Sequence, residues 1–136
     1  MIEQKEFSLR AQERGYHLIT QEVVSAIGPL PKTGIFNLYI KHTSAAITIN
    51  ENADPSVRVD FEQIFNKIVP ENMPFLTHTI EGPDDMPAHI KAAMIGSSIN
   101  IPITNHRLNL GTWQGIYLCE FRNYGGSRKV IATIYS

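Results

Sequence analysis

Apolar and polar residues exchange places along this chain with a period that changes from one segment to the next. Over residues 3–10, Phe7 and Leu9 alternate with polar neighbours, the period-two signature of a half-buried strand. Gly15 marks a turn, and Tyr16-His17-Leu18-Ile19 reads as a short second strand. The spacing then lengthens. Val23, Val24 and Ile27 share one face of a helix that Thr20 is placed to cap and Gly28-Pro29 to stop. Gly34 opens the strongest strand signal of the N-terminal half, where Phe36, Leu38 and Ile40 alternate with Asn37, Tyr39 and Lys41 before His42-Thr43-Ser44. Ile47 and Ile49 continue the alternation against Thr48 and Asn50. A second helix follows, with Asp54 as its cap, Pro55 at its first position and a stripe of Val57, Phe61, Ile64, Phe65 and Ile68 that ends at Pro70.

From Glu71 to Pro87 the periodicity disappears among prolines, aspartates and a glycine. This is a loop of ~15 residues, a length that more often marks a functional segment than a connector. A third helix is expected from Pro87 through His89, Ile90, Ala93 and Met94 to Gly96, followed by a strand carrying Ile99, Ile101 and Ile103. Two last strands, 116–121 and 129–134, flank Tyr124-Gly125-Gly126-Ser127 and read as a hairpin. Without repeats or linker composition, the pattern implies one domain over residues 1–136, α+β with mostly antiparallel pairing.

Composition narrows the classes. The chain has 136 residues, 43% hydrophobic and 18% charged, enough to bury a core without disulfide staples. Lysine and arginine number 12 against 13 acidic residues, so no long-range field draws in nucleic acid or an anionic membrane. The single cysteine, Cys119, excludes an internal disulfide and a multi-thiolate zinc site, and its apolar neighbours mark it as packing. Apolar runs are far shorter than the ~20 residues of a membrane span, and charges run through Arg10 with no apolar leader, so a cytoplasmic location is expected. No P-loop, dinucleotide fingerprint or nucleophile elbow is present.

The candidate chemistry lies elsewhere. His78 falls in the long loop and His89 just inside the third helix, with Glu81, Asp84 and Asp85 between them. Two imidazoles and a carboxylate with an open position suit a catalytic divalent metal. Their spacing matches no standard zinc pattern, and a solvated loop histidine beside a carbonyl-bonded helix histidine is the plain alternative. His42 ends a strand next to Thr43-Ser44, and Asn50-Glu51 ends the neighbouring one, where a site role and a turn role stand level. Asp54 is explained by capping. His17 reads as structural, and His106 beside Arg107 as either. Glu120 sits in a strand whose flanks look buried, and there a carboxylate must find a cation, a metal or donors. Arg122, Arg128 and Lys129 form either a phosphate cluster or a solvated turn. Trp113, between Gly111-Thr112 and Gln114-Gly115, suggests a turn with backbone packed against its ring.

These strings, in order, closely resemble the YjbQ family (UPF0047): His42-Thr43-Ser44-Ala45-Ala46, Asn50-Glu51-Asn52 with Asp54-Pro55, His78, Glu81-Gly82 with Asp84, Ala88-His89-Ile90-Lys91, Gly111-Thr112-Trp113-Gln114-Gly115-Ile116 and Glu120. The resemblance implies β-sheets flanked by helices, a homotrimer, and secondary thiamine-phosphate synthase activity. That reaction joins a pyrimidine diphosphate to a thiazole phosphate and releases pyrophosphate. It implies a divalent metal, Zn or Mg, on His78 and His89 with Asp85, where many relatives have asparagine. His42, Ser44, Asn50 and Glu120 are then expected to line the pocket as acid, base or orienting groups for a small phosphorylated substrate. Two other readings remain open. One is a metal- or phosphate-metabolite-binding protein without efficient turnover, and the other a metal-dependent hydrolase with Glu120 or Glu51 as base.

Overall fold

The structure, a computed structural model, describes residues 1–136. In chain order it contains β1 (Ile2–Leu9), β2 (Gly15–Leu18), α1 (Thr20–Ile27), β3 (Thr33–Ile40), β4 (Ala45–Glu51), α2 (Pro55–Ile68), α3 (Asp85–Ile95), β5 (Ser98–Thr104), β6 (Arg107–Leu108), β7 (Gln114–Glu120) and β8 (Arg128–Tyr135). They form two sheets, one in the order β1-β8-β3-β5-β6 and one in the order β2-β7-β4. Every pairing is antiparallel. The α+β class and antiparallel pairing read from the sequence are what the chain adopts. No helix is long and apolar enough to cross a membrane.

Alternation decides how the layers stack. Phe36, Leu38 and Ile40 of β3, Ile101 and Ile103 of β5, and Val130, Ala132 and Ile134 of β8 point to one face of the larger sheet. They meet Ala45 and Ile47 of β4 and Ile116 and Leu118 of β7, with Ile19 and Val23 closing the end. Each fully buried aliphatic side chain here contributes about 1.5–3 kcal/mol relative to exposure. The opposite face of the small sheet makes a second core. There Tyr16, Ala46, Tyr117 and Cys119 pack on Ala88 and Ala92 of α3 and on Phe61 and Phe65 of α2. The Tyr16 and Phe61 rings stack at 5.2 Å between centroids. Two helices therefore cover the small sheet, while the outer face of the large one stays open.

Four expectations need correction. Strands β7 and β8 are not a hairpin, because they belong to different sheets. Strand β7 pairs with β2 and β4 and is buried on both faces, Ile116 and Leu118 in one core and Tyr117 and Cys119 in the other, while β8 pairs with β1 and β3. Thr20 does not cap α1, whose cap position is Ile19. Its Oγ1 instead accepts from the Ile116 N–H at 2.9 Å and ties the helix start to β7. Helix α3 begins at Asp85, two residues before Pro87. Proline is tolerated at the third helical position because the first-turn N–H groups have no intrahelical partner. Trp113 does lie in a turn, closed by the Gln114 N–H on the Gly111 carbonyl at 3.0 Å, but its ring is 65% exposed and not tightly packed. The Trp113 carbonyl accepts from the Asn52 N–H at 2.9 Å. The sequence reading also passed over β6, which follows a two-residue turn with positive φ at Asn105 and His106, as a tight hairpin requires.

Candidate metal centre

The early start of α3 matters for chemistry. It places Asp85 and His89 one turn apart on the same helical face, both toward the incoming loop. That loop, residues 69–84, brings His78 to the same point. Arg122, just past the end of β7, pins it there. Its Nε donates to Asp84 Oδ2 at 2.9 Å, Nη1 to Asp85 Oδ1 at 2.6 Å and Nη2 to the Glu81 carbonyl at 3.0 Å. The Asn123 N–H adds a bond to Asp84 Oδ2 at 2.9 Å. Farther along, Arg14 binds Glu71 and, at 3.1 Å, Glu62, fastening the start of the loop to α2.

With Oδ1 of Asp85 given to Arg122, Oδ2 faces both imidazoles. His78 Nε2 lies 2.6 Å away and His89 Nε2 3.2 Å away, and the ring centroids are 5.4 Å apart. One ligand atom from each of the three residues falls within 4.8 Å of the others. The nitrogen–oxygen separations bracket the ~3 Å expected between neighbouring donors around an ion with bonds of ~2.0–2.1 Å. His89 Nδ1–H donates to the Thr43 carbonyl at 2.9 Å. This fixes the ring and leaves Nε2 against a carboxylate, where a proton or a cation must sit. The residues therefore fit a divalent metal. Asp85 is 2% exposed. Burial pushes its carboxyl up, but the His78 hydrogen bond and the charges of His89 and Arg122 outweigh this and hold it below the usual aspartate range. Asp84 shows the same balance, its burial offset by the Asn123 N–H and by Arg122.

His89 also forms the wall of an open-sided hollow of about 630 Å³, bounded by His42, Thr43, Ala45, Met86, Ala92, Ala93, Gly96 and Ser97. Its lining joins small apolar side chains to two imidazoles and two hydroxyls. His42 is fixed by the Lys129 N–H, which donates to Nε2 at 2.8 Å.

Of the residues singled out in the sequence, His78, Asp85 and His89 converge, and His42 joins them across the hollow. The rest do not. Glu120 is fully buried, its Oε1 accepting from Arg128 Nε at 2.8 Å and its Oε2 from Arg128 Nη2 and, at 3.2 Å, from the Arg122 N–H. It found the cation its burial demanded, but it does not line the hollow. Ser44 is buried too, its Oγ accepting from Arg128 Nη2 at 3.0 Å. Asn50 faces the helices but lines a separate crevice with Tyr16, Phe61 and Tyr117, toward α2, and does not border the hollow. Glu51 turns back on the Ala53 and Asp54 N–H groups. Arg122 and Arg128 are occupied by carboxylates and do not form a phosphate cluster with Lys129. His17 packs against the Glu13 carbonyl and His106 against that of Leu30, both as structural contacts. The sequence reading missed Arg122 as the support of Asp85. The adjacent Asp84-Asp85 pair, which needs a cation once buried, was the signal.

The family model described as UPF0047 protein YjbQ-like matches residues 5–136. The UPF0047 protein YjbQ of Escherichia coli O157:H7 is 47% identical over 133 residues, spanning 96% of each chain. Its namesake in Salmonella typhimurium is 49% identical over 133 residues, again 96% of each. A crystal structure of an uncharacterized conserved protein of the YjbQ/UPF0047 family from Clostridium acetobutylicum superposes with a TM-score of 0.81 at 39% identity, covering 96% of this chain and 98% of that one. A YbjQ-like protein of unknown function from Sulfolobus solfataricus, at 22% identity and a TM-score of 0.84, covering 98% of this chain and 96% of that one, shares the fold.

Proposed function

The chain belongs to the UPF0047 family of YjbQ-like proteins, and from that premise we propose that it is a divalent-metal-dependent enzyme acting on a small phosphorylated metabolite. Its reaction is of the secondary thiamine-phosphate synthase type, in which a pyrimidine diphosphate meets a thiazole phosphate and pyrophosphate leaves. The observation that carries the proposal is the approach of His78 Nε2, His89 Nε2 and Asp85 Oδ2 at the rim of a hollow. These three residues would hold the ion, and two imidazoles favour Zn²⁺ or a similar transition metal over Mg²⁺. When bound, the metal supplies Lewis-acid neutralisation of negative charge on the diphosphate leaving group. The chain's own residues do the rest. Arg122 keeps Asp85 turned toward the imidazoles, and the Thr43 carbonyl keeps His89 turned toward Asp85. Ala45, Ala92 and Ala93 give the apolar part of a substrate a matching surface.

Coupling the two thiamine precursors, with metal restored to chelator-treated protein, tests this. His89→Ala is expected to lower turnover by about a hundredfold or more and to weaken metal retention. Unchanged activity refutes the metal role. One observation favours a second reading, ligand binding without efficient turnover. Both arginines near the site are occupied by carboxylates, so none is free to grip a diphosphate. A phosphate metabolite retained through purification, with negligible turnover, would select it. Hydrolysis fits less well, since Glu120 and Glu51 both face away from the hollow.

Assembly as a homotrimer and a cytoplasmic location go with the same reading. The outer face of the large sheet carries Ile35, Tyr39 and Tyr135, all at least 45% exposed, with no helix above them. A monomer of full activity in a sedimentation experiment refutes the trimer.

A further inference from the structure

Outside the three metal-facing groups, the hollow has one ring with a directed nitrogen, that of His42. The main-chain N–H of Lys129 lies 2.8 Å from its Nε2. A peptide N–H can only donate, so Nε2 must present its lone pair and the ring proton must reside on Nδ1. Turning the ring over would set carbon against the Lys129 N–H and abandon that bond. The backbone around it is pinned as well, because the Lys41 N–H donates to the Lys129 carbonyl at 3.0 Å. Nδ1–H makes no hydrogen bond within the chain.

We propose that His42 is locked as the neutral Nδ1–H tautomer and acts as a directed hydrogen-bond donor to a phosphoryl oxygen of the ligand in this hollow, not as a general base. The assignment rests on the hollow being the ligand site of the proposed function, and it deepens that reading by giving His42 one role and the ligand one acceptor. Charge agrees with geometry. Burial first, and then the positive charges of Arg128, Lys129 and Lys41, disfavour the imidazolium and outweigh Glu120, so the ring titrates below the ordinary histidine range. The remaining walls define what the phosphoryl group is attached to. Ala45, Met86, Ala92 and Ala93 offer apolar surface, which suits a compact apolar body. The ligand class is therefore a small monophosphate or diphosphate ester whose carbon skeleton lies on the alanines of α3.

The test uses the full-length, ¹⁵N-labelled, zinc-loaded protein. A long-range ¹H–¹⁵N spectrum of the imidazoles at neutral pH is expected to show Nδ1 protonated and Nε2 bare for His42. Titration with inorganic phosphate is expected to move the Nδ1 resonance. An Nε2-protonated ring, an imidazolium, or no phosphate-dependent shift at His42 overturns the proposal. Two variants separate donation into the hollow from mere docking on Lys129. His42→Asn places an amide N–H near the Nδ1 position and is expected to bind phosphate within about threefold of wild type. His42→Gln places a carbonyl where Nε2 accepts, and is expected to bind about tenfold more weakly. The reverse ranking overturns the proposal, and the wild-type tautomer decides it even where a variant does not fold. Failure of the metal reading would look different, as zinc affinity indifferent to His89→Ala with the His42 signals unchanged.

Discussion

The ion pair between Glu120 and Arg128 is the most exacting stability feature of this fold, and replacing Arg128 with Met tests it directly. The Glu120 side chain is 0% exposed and that of Arg128 5%. Arg128 gives the carboxylate two hydrogen bonds, one of 2.8 Å from Nε, and spends a third, of 3.0 Å, on Ser44 Oγ. Gly125 lies directly over the carboxylate, where any Cβ would strike it, so water cannot enter from that side. Methionine preserves the length of the side chain and removes its charge. Glu120 would then keep only the Arg122 N–H at 3.2 Å. Stranding one member of a buried pair costs about 3–5 kcal/mol. For 136 residues the unfolding entropy is about 0.3 kcal/mol per degree, so the melting temperature should fall by about 10–17 °C. The double variant Arg128→Met/Glu120→Leu should recover more than half of that loss, because an apolar pair of similar volume replaces the charges. Reversible thermal melts followed by circular dichroism at neutral pH supply both numbers. A single-variant shift below about 4 °C, or a double variant no better than the single, refutes the reasoning, since either means that the carboxylate reaches water.

Three further outcomes follow from the same geometry. Arg122→Ala removes the group that reserves Asp85 Oδ2 for the imidazoles, and zinc affinity measured by calorimetry should drop about 10–100-fold; equal affinity would show that Asp85 needs no support. Asp84 and Asp85 both titrate below the ordinary aspartate value, so the stability they supply is complete at neutral pH and fades as pH falls below about 4. Denaturant melts across that range should show a steep acid limb, flattened in Asp84→Asn. Gly115→Ala would set a methyl 2.7 Å from Leu18 Cδ2 and 3.1 Å from Asn52 Cβ, with a cost of about 1–3 kcal/mol readable from its urea midpoint.

Alternation placed the strands from β1 to β5 and unbroken apolar runs placed β7 and β8, while the two-residue β6 is too short to show either pattern. Order within the sheets was not legible, and β7 shows why. Ile116-Tyr117-Leu118-Cys119 is a continuous apolar run covered on both sides, and Val130-Ile131-Ala132 is another in the sequence, yet in the fold Lys129 and Ile131 turn to the open face of the large sheet. Two strands with different burial patterns are poor hairpin partners, yet the glycines at 125 and 126 suggested a tight turn. Gly125 serves something else, clearing the space that the Glu120 carboxylate fills, while Gly126 takes the positive φ of the bend.

The site was legible in its residue types and hidden in its pairings. His78, His89 and a nearby carboxylate can be picked out from sequence, but Arg122 reads there as a free cation, because its partners lie almost forty positions upstream. Charge accounting in the folded chain shows what the sequence total conceals. The overall charge of −1 carries no hint of a site. Inside, Asp84, Asp85 and Glu120 are buried, while only Arg122 and Arg128 reach them as permanent cations. Lys91, the other buried cation, donates to Asn66 on the α2 side. One negative charge is therefore left over, and it resides on Asp85 Oδ2 between two imidazole nitrogens. A buried surplus charge is costly unless it is matched. Both imidazoles lie against that oxygen, and a divalent cation held between the three groups would match the charge outright.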